Sequence, residues 1–165
     1  MKLSKKVVLL GHFGVGKTSL FRRFIDDEFS EEYKVTIGVQ IKKKVITLDN
    51  GDEISLILWD TEGHMDLEDT RRSYLLGAHA FVYVFDVTRA VTYQDTAENL
   101  EILKEEFPKV LLTCIGNKLD LVIDKKKLET KFPFKVDAFT SAKEDTNVTD
   151  FFKKLGIQLN NINSP

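Results

Sequence analysis

Five apolar runs, each closed by a glycine or a polar residue, constrain this 165-residue chain more than any other feature. They are "VVLL" before Gly11, "ISLILW" before Asp60, "AFVYVF" before Asp86, "VLLTCIG" before Asn117 and "FKVDAFT" before Ser141. Runs this short fit strands, and "AFVYVF" is apolar enough for one covered on both faces. Helical patterns lie between them. "GKTSLFRRFIDDEF" puts Leu20, Phe21, Phe24 and Ile25 on one face, and "TYQDTAENLEILKEEF" does the same with Leu100, Leu103 and Phe107 before the stop at Pro108. "VTDFFKKLGIQLNNI" is a closing amphipathic helix. A further pair of runs, "VTIGVQIKKKVITL" and "EISLILWD", is joined by "DNGD", whose Asn50-Gly51 is a strong hairpin signature. The pattern predicts an α/β fold: a mostly parallel six-stranded sheet, one antiparallel edge strand, and helices on both faces. In such sheets ligands bind beyond the carboxyl ends of the strands, so the residues closing the runs are the first candidates for a site.

Composition narrows the function. Hydrophobic residues make up 42% and charged residues 30%, a balance that folds. Neither repeats nor a Pro/Gly-rich linker divide the chain, so residues 1–165 are expected to form a single domain. Lys and Arg number 24 against 26 Asp and Glu, a net charge of -2, which argues against a dedicated nucleic-acid binder. The "KKK" at 42 to 44 reads as a solvated strand end rather than a binding patch. Cys114, the only cysteine, sits among apolar neighbours and is expected to be a buried thiol. No stretch approaches the ~18 consecutive apolar residues of a membrane span, and the end "NNINSP" carries no Cys-a-a-X box. The expectation is a cytoplasmic monomer without a direct lipid anchor, reaching membranes only through a partner or a missing tail.

"GHFGVGKT", residues 11 to 18, fits G-x-x-x-x-G-K-[ST] between a strand and a helix, the context the motif requires. Backbone N–H groups through Gly14, Val15 and Gly16, and on into Lys17, Thr18 and Ser19, can converge on phosphate oxygens at the positive end of the helix. Lys17 can reach the β- and γ-phosphates, and the Thr18 hydroxyl can bind Mg²⁺. The motif specifies a nucleoside triphosphate without naming the base.

"NKLD" at 117 to 120 and "TSAK" at 140 to 143 name it. Asp120 can accept both N1–H and the exocyclic amine of guanine in a charge-assisted pair. Adenine presents an acceptor at N1 and no 2-amino group, which would leave that carboxylate unpaired. The Lys118 stem can lie over the base, Asn117 can brace the phosphate loop, and the Ala142 N–H can meet guanine O6, with Ser141 and Lys143 beside it.

With these motifs in order, the chain resembles the Ras superfamily of small GTPases, and its Rab-like branch most, from about Val7 to Leu155. The likeness includes the phosphate loop, "FSEEYKVTIGV", the "WDT-x-G" element, "SYLLGAHAFVYVFDVT", "GNKLD" and "TSAK". It implies the P-loop NTPase fold, GTP/GDP with Mg²⁺ as cofactors, and effector, exchange and activating proteins as partners through switches I and II. By the same likeness, Phe29 packs on the guanine edge and Tyr33 covers the phosphates. Thr36 and Asp60 join Thr18 around Mg²⁺, and the Gly63 N–H contacts the γ-phosphate. Lys17, Thr36, Gly63 and His64 would be the catalytic set. The implied mechanism is a switch whose two loops are held by the γ-phosphate and Mg²⁺.

Three residues depart from the family pattern. Phe13 stands where a small residue is usual, and its ring either crowds the space for an attacking water or folds outward as a lid. His64 stands where a glutamine orients that water; a neutral imidazole has one donor and one acceptor and holds water less flexibly. Glu62 replaces alanine, and a desolvated anion near a γ-phosphate must turn away, protonate or meet a cation such as Arg71, Arg72 or Lys17. The interval from Asp120 to Ser141 is also short, leaving "DKKKLETKF" for a turn or two of helix. Slow hydrolysis without a partner is the expectation, and a GTP- or GDP-locked scaffold acting through protein contacts is the alternative.

Overall fold

The computed structural model describes residues 3–27, 29, 38–61, 70 and 72–162. Six strands form one sheet in the order β2-β3-β1-β4-β5-β6. They are β1 (Leu3–Leu10), β2 (Val39–Thr47), β3 (Glu53–Thr61), β4 (Ala80–Asp86), β5 (Leu111–Asn117) and β6 (Ala138–Phe139). All neighbours pair in parallel except β2 with β3, which run antiparallel with Ile41 opposite Trp59. The helices are α1 (Lys17–Asp26), α2 (Arg72–Leu75), α3 (Thr96–Glu106), α4 (Leu128–Lys131) and α5 (Val148–Ile162). This is the α/β arrangement that the alternating pattern predicts.

Strand alternation sends successive side chains to opposite faces, and β1 shows it directly. Val7 and Leu9 join one core with Phe21 and Phe24 of α1 and Phe152, Leu155 and Leu159 of α5. Val8 and Leu10 join the other with Leu100 and Leu103 of α3, Leu75 of α2 and Leu128 of α4. The central strands are apolar throughout because both faces are covered: every residue of β4 is buried.

The hairpin turn follows the Asn-Gly signature. Gly51 takes φ +88°, its N–H donates to the Leu48 carbonyl at 2.9 Å, and Leu48 N–H donates to the Asp52 carbonyl at 2.8 Å. On the β2 edge Lys42 and Lys43 are exposed; Lys42 pairs with Asp26 at 3.2 Å, and Lys44 lies over the Phe24 ring. Edge lysines of this kind discourage strand addition.

The run "FKVDAFT" yields only a two-residue strand. Phe134 turns edge-on to Phe85 at 5.4 Å instead of continuing the ladder. Asp137 serves as the pairing group there, its Oδ2 accepting from Cys114 N–H and its own N–H donating to the Cys114 carbonyl, both at 2.8 Å. The short interval before it holds 3-10 turns at Leu119–Leu121 and Lys125–Lys127 and the single turn of α4. Cys114 is 2% exposed, and burial pushes its thiol well above the usual range. Among the described residues no helix is long and apolar enough to cross a membrane.

Candidate functional site

Gly11, Asp60, Asp86, Asn117 and Ser141 all fall at the same carboxyl edge of the parallel strands. Parallel strands place their ends together, so loops distant in sequence become neighbours in space.

The glycine loop is shaped by backbone conformations that disfavour a side chain. Gly14 and Gly16 have φ +70° and +102°, and a Cβ on Gly16 would lie 2.2 Å from Asn117 Nδ2. At Gly11 it would lie 2.2 Å from the Val84 carbonyl oxygen. Gly16 begins α1 without a side-chain cap, which leaves first-turn N–H groups directed at the loop. Lys17 is buried, its ammonium donating to the Gly11 and His12 carbonyls at 2.9 Å each. Burial lowers its pKa from 10.5 to about 8, and the Asp60 carboxylate opposes part of that fall.

Thr18 donates its hydroxyl to Asp60 Oδ2 at 2.7 Å, joining the start of α1 to the end of β3. A hydroxyl and a buried carboxylate are hard oxygen donors, the donor chemistry Mg²⁺ prefers. Ser19 follows on the same helical turn and is half-buried, as is Val15's neighbour Gly14, while Val15 itself is buried in the α1 core.

The second half of the site comes from β5 and the segment after β6. Asn117, 2% exposed, donates from Nδ2 to the Val15 carbonyl at 3.0 Å, and its Oδ1 accepts from the Thr140 hydroxyl at 2.9 Å. Ser141 donates its hydroxyl to Asp120 Oδ1 at 2.7 Å and accepts from Glu144 N–H at 3.0 Å. Lys118 stands in a left-handed conformation, φ +69°, with its ammonium 2.9 Å from Asp86 Oδ2. Ala142 is buried; Arg23 on α1 donates to its carbonyl at 2.8 Å and to that of Lys143 at 3.0 Å. Phe29 packs partly buried against the α1 core.

The structure therefore brings together Gly14 to Ser19, Asp60, Asn117, Lys118, Asp120 and Ser141 to Lys143. Tyr33, Thr36, Glu62, Gly63, His64 and Arg71 lie outside the described residues. Phe13 is 41% exposed, and Arg72 pairs with Glu106 at 3.2 Å. Sequence reasoning did not assign Thr140, Arg23 or the contact between His12 and Asp95, whose Nε2 to Oδ1 separation is 2.9 Å. Their partners are far along the chain, so no local pattern assigns them these contacts. Asp86 was marked only by its place after an apolar run.

A glycine loop, a buried lysine and an open helix start at the end of β1 define a P-loop nucleotide-binding protein. The comparisons make the class specific. A sequence model described as Ras family matches residues 6–161. The chain is 38% identical over 164 residues to Ras-related protein Rab-1A of Dictyostelium discoideum, covering 94% of this chain and 80% of that protein. It is 34% identical over 158 residues to Ras-related protein Rab-12 of Mus musculus and of Homo sapiens, covering 91% of this chain but only 65% and 64% of theirs. The chain belongs to the Ras family and is a Rab-like small GTPase. Membership places it among GTP-binding molecular switches.

Proposed function

We propose that this chain is a one-domain guanine-nucleotide switch that binds GTP and GDP with Mg²⁺ and, without a partner, hydrolyses GTP slowly. The observation that carries the binding half is the convergence of the glycine loop, the Thr18–Asp60 pair and the Ser141–Asp120 pair on one sheet edge. Lys17 holds the β- and γ-phosphates, exchanging its bonds to the Gly11 and His12 carbonyls for phosphate oxygens. Backbone N–H groups from Gly14 to Ser19 complete the cradle. Asp120 reads the guanine edge with its carboxylate held in orientation by Ser141; Lys118, Ala142, Lys143 and Phe29 line the base. Thr18, Asp60 and Thr36 hold Mg²⁺, which when bound neutralises charge on the β- and γ-phosphates.

Tyr33, Thr36, Gly63 and His64 carry the response to the γ-phosphate, as the family likeness implies. Phe13 and His64 motivate the slow rate: the imidazole is the less adaptable water holder, and a Phe13 ring would crowd the space for the attacking water. Effector, exchange and activating proteins would meet the chain at the two switches. The neighbouring β2–β3 surface supports this, because Ile41 and Val45 are 48% and 41% exposed and Ile41 pairs with the half-buried Trp59. The working place proposed is the cytoplasm, with membranes reached through a partner or a missing tail.

Single-turnover hydrolysis by the purified chain tests the reading. A rate well below ordinary family members is expected, rising in a Phe13→Gly, His64→Gln variant. A rate at or above theirs, or a variant that gains nothing, refutes the slow-turnover proposal. Nucleotide extracted from the purified protein is expected to be GDP; retained GTP would point to a locked scaffold.

A further inference from the structure

We infer that Asp86 is a positioning residue for nucleotide retention, joining the base-reading loop to the phosphate loop through Lys118 and Arg89. The inference rests on the base-reading role proposed for Lys118 and Asp120. Asp86 ends β4 and is 1% exposed. A carboxylate so deeply buried is sustained only by partners, and it has several. Its Oδ1 accepts from Thr88 N–H at 2.9 Å and from the Thr88 hydroxyl at 2.6 Å. Its Oδ2 lies 2.9 Å from Lys118 Nζ and 3.9 Å from Arg89 Nη1.

These cations belong to different parts of the site. Lys118 follows β5 in a left-handed conformation that a lysine seldom adopts, and the ion pair with Asp86 holds it there. Arg89 reaches the glycine loop, the same Nη1 donating to the carbonyls of Phe13 and Gly14 at 3.5 and 3.4 Å. One buried carboxylate thus fixes the lysine placed over the base and the guanidinium bracing the glycine loop. β4 lies between β1, which feeds that loop, and β5, which feeds "NKLD", so its end stands beside both. Removing the Asp86 charge loosens both ends of a bound nucleotide. It leaves the group that discriminates the base, Asp120, in place on Ser141.

The test is dissociation of a fluorescent GDP analogue from the purified chain with Mg²⁺ present, chased with unlabelled GDP. Asp86→Asn keeps an acceptor for Thr88 and removes the charge, and the off-rate is expected to rise roughly 10- to 100-fold. Lys118→Met should act similarly, and the double variant should be little faster than the faster single one. The preference for GDP over inosine diphosphate, which lacks the 2-amino group, should be unchanged in Asp86→Asn and lost in Asp120→Asn. An unchanged off-rate, or effects of Asp86→Asn and Lys118→Met that multiply, overturns the inference. If Asp120→Asn retains the GDP preference, the base-reading proposal fails instead. Should Asp86→Asn not fold, Lys118→Met and Arg89→Ala decide singly: each removes one cation that Asp86 holds and should speed release, and an unchanged off-rate in either refutes the inference.

Discussion

Replacing Gly16 by alanine should damage the phosphate loop and the base loop together, although only one methyl group is added. Gly16 takes φ +102° and ψ +22°, left-handed geometry that costs an L-residue roughly 1–2 kcal/mol. The new Cβ would stand 2.2 Å from Asn117 Nδ2, far inside contact distance. Asn117 would have to swing away, breaking its bonds to the Val15 carbonyl and the Thr140 hydroxyl. Asn117 is 2% exposed, so water does not readily replace them, and leaving such groups unpaired costs about 1–3 kcal/mol. The sum is about 2–5 kcal/mol, which lowers Tm by roughly 5–15 °C in a chain of this size. Gly51→Ala is the control, because Gly51 also has positive φ, +88°, but nothing lies within 4 Å of its Cβ position. It should cost only the backbone strain, with a Tm drop of roughly 2–8 °C and unchanged nucleotide release. The assay is thermal unfolding of each variant beside GDP dissociation. If Gly16→Ala melts within about 2 °C of the parent and holds GDP as long, the steric reasoning is wrong.

The pH behaviour of Lys17 supplies a second prediction with two opposite signs. Burial lowers its pKa from 10.5 to about 8, so between these values the unfolded chain binds a proton that the folded, nucleotide-free chain has lost. Stability of the nucleotide-free protein should therefore rise with pH across that window, by up to about 3 kcal/mol from this group, while GDP affinity falls because phosphate pairs with the charged amine. Urea midpoints and GDP titrations between about pH 7 and 9.5 measure both slopes, and Lys17→Met should flatten them. A third prediction concerns the α5 core: Phe152 is fully buried and stacks on Phe24 with centroids 4.3 Å apart. Phe152→Ala should cost about 3–5 kcal/mol, read as a lower urea midpoint at constant slope.

What could be read from the sequence was what a short stretch of chain decides by itself. "DNGD" makes its own turn because Asn50 and Gly51 supply the local bonds and the positive φ. "GHFGVGKT" declares a phosphate loop because glycine is required where φ is +70° and +102°. "NKLD" and "TSAK" were legible as a pair, and the Ser141–Asp120 bond is the physical form of that pairing. The strand "FKVDAFT" was overread because its apolar residues serve an aromatic cluster around Phe85 and Phe132 rather than a ladder.

The residues that escaped the sequence share one property: each acts across the sheet order. Arg23 grips carbonyls 119 and 120 positions away, and Thr140 orients Asn117 from the neighbouring strand end. Asp86 is the sharpest case. As an acid after a buried strand it looks like Asp60, and both accept from a threonine hydroxyl, but Asp86 also lies 2.9 Å from the Lys118 ammonium, whereas the hydroxyl on Asp60 is that of Thr18 beside the glycine loop. A carboxylate bonded to the threonine that follows the glycine loop is suited to share a metal with it, and one paired at 2.9 Å with an ammonium is already neutralised. The same residue type in the same topological slot therefore has two different chemistries, and what separates them is which loop each neighbouring strand delivers.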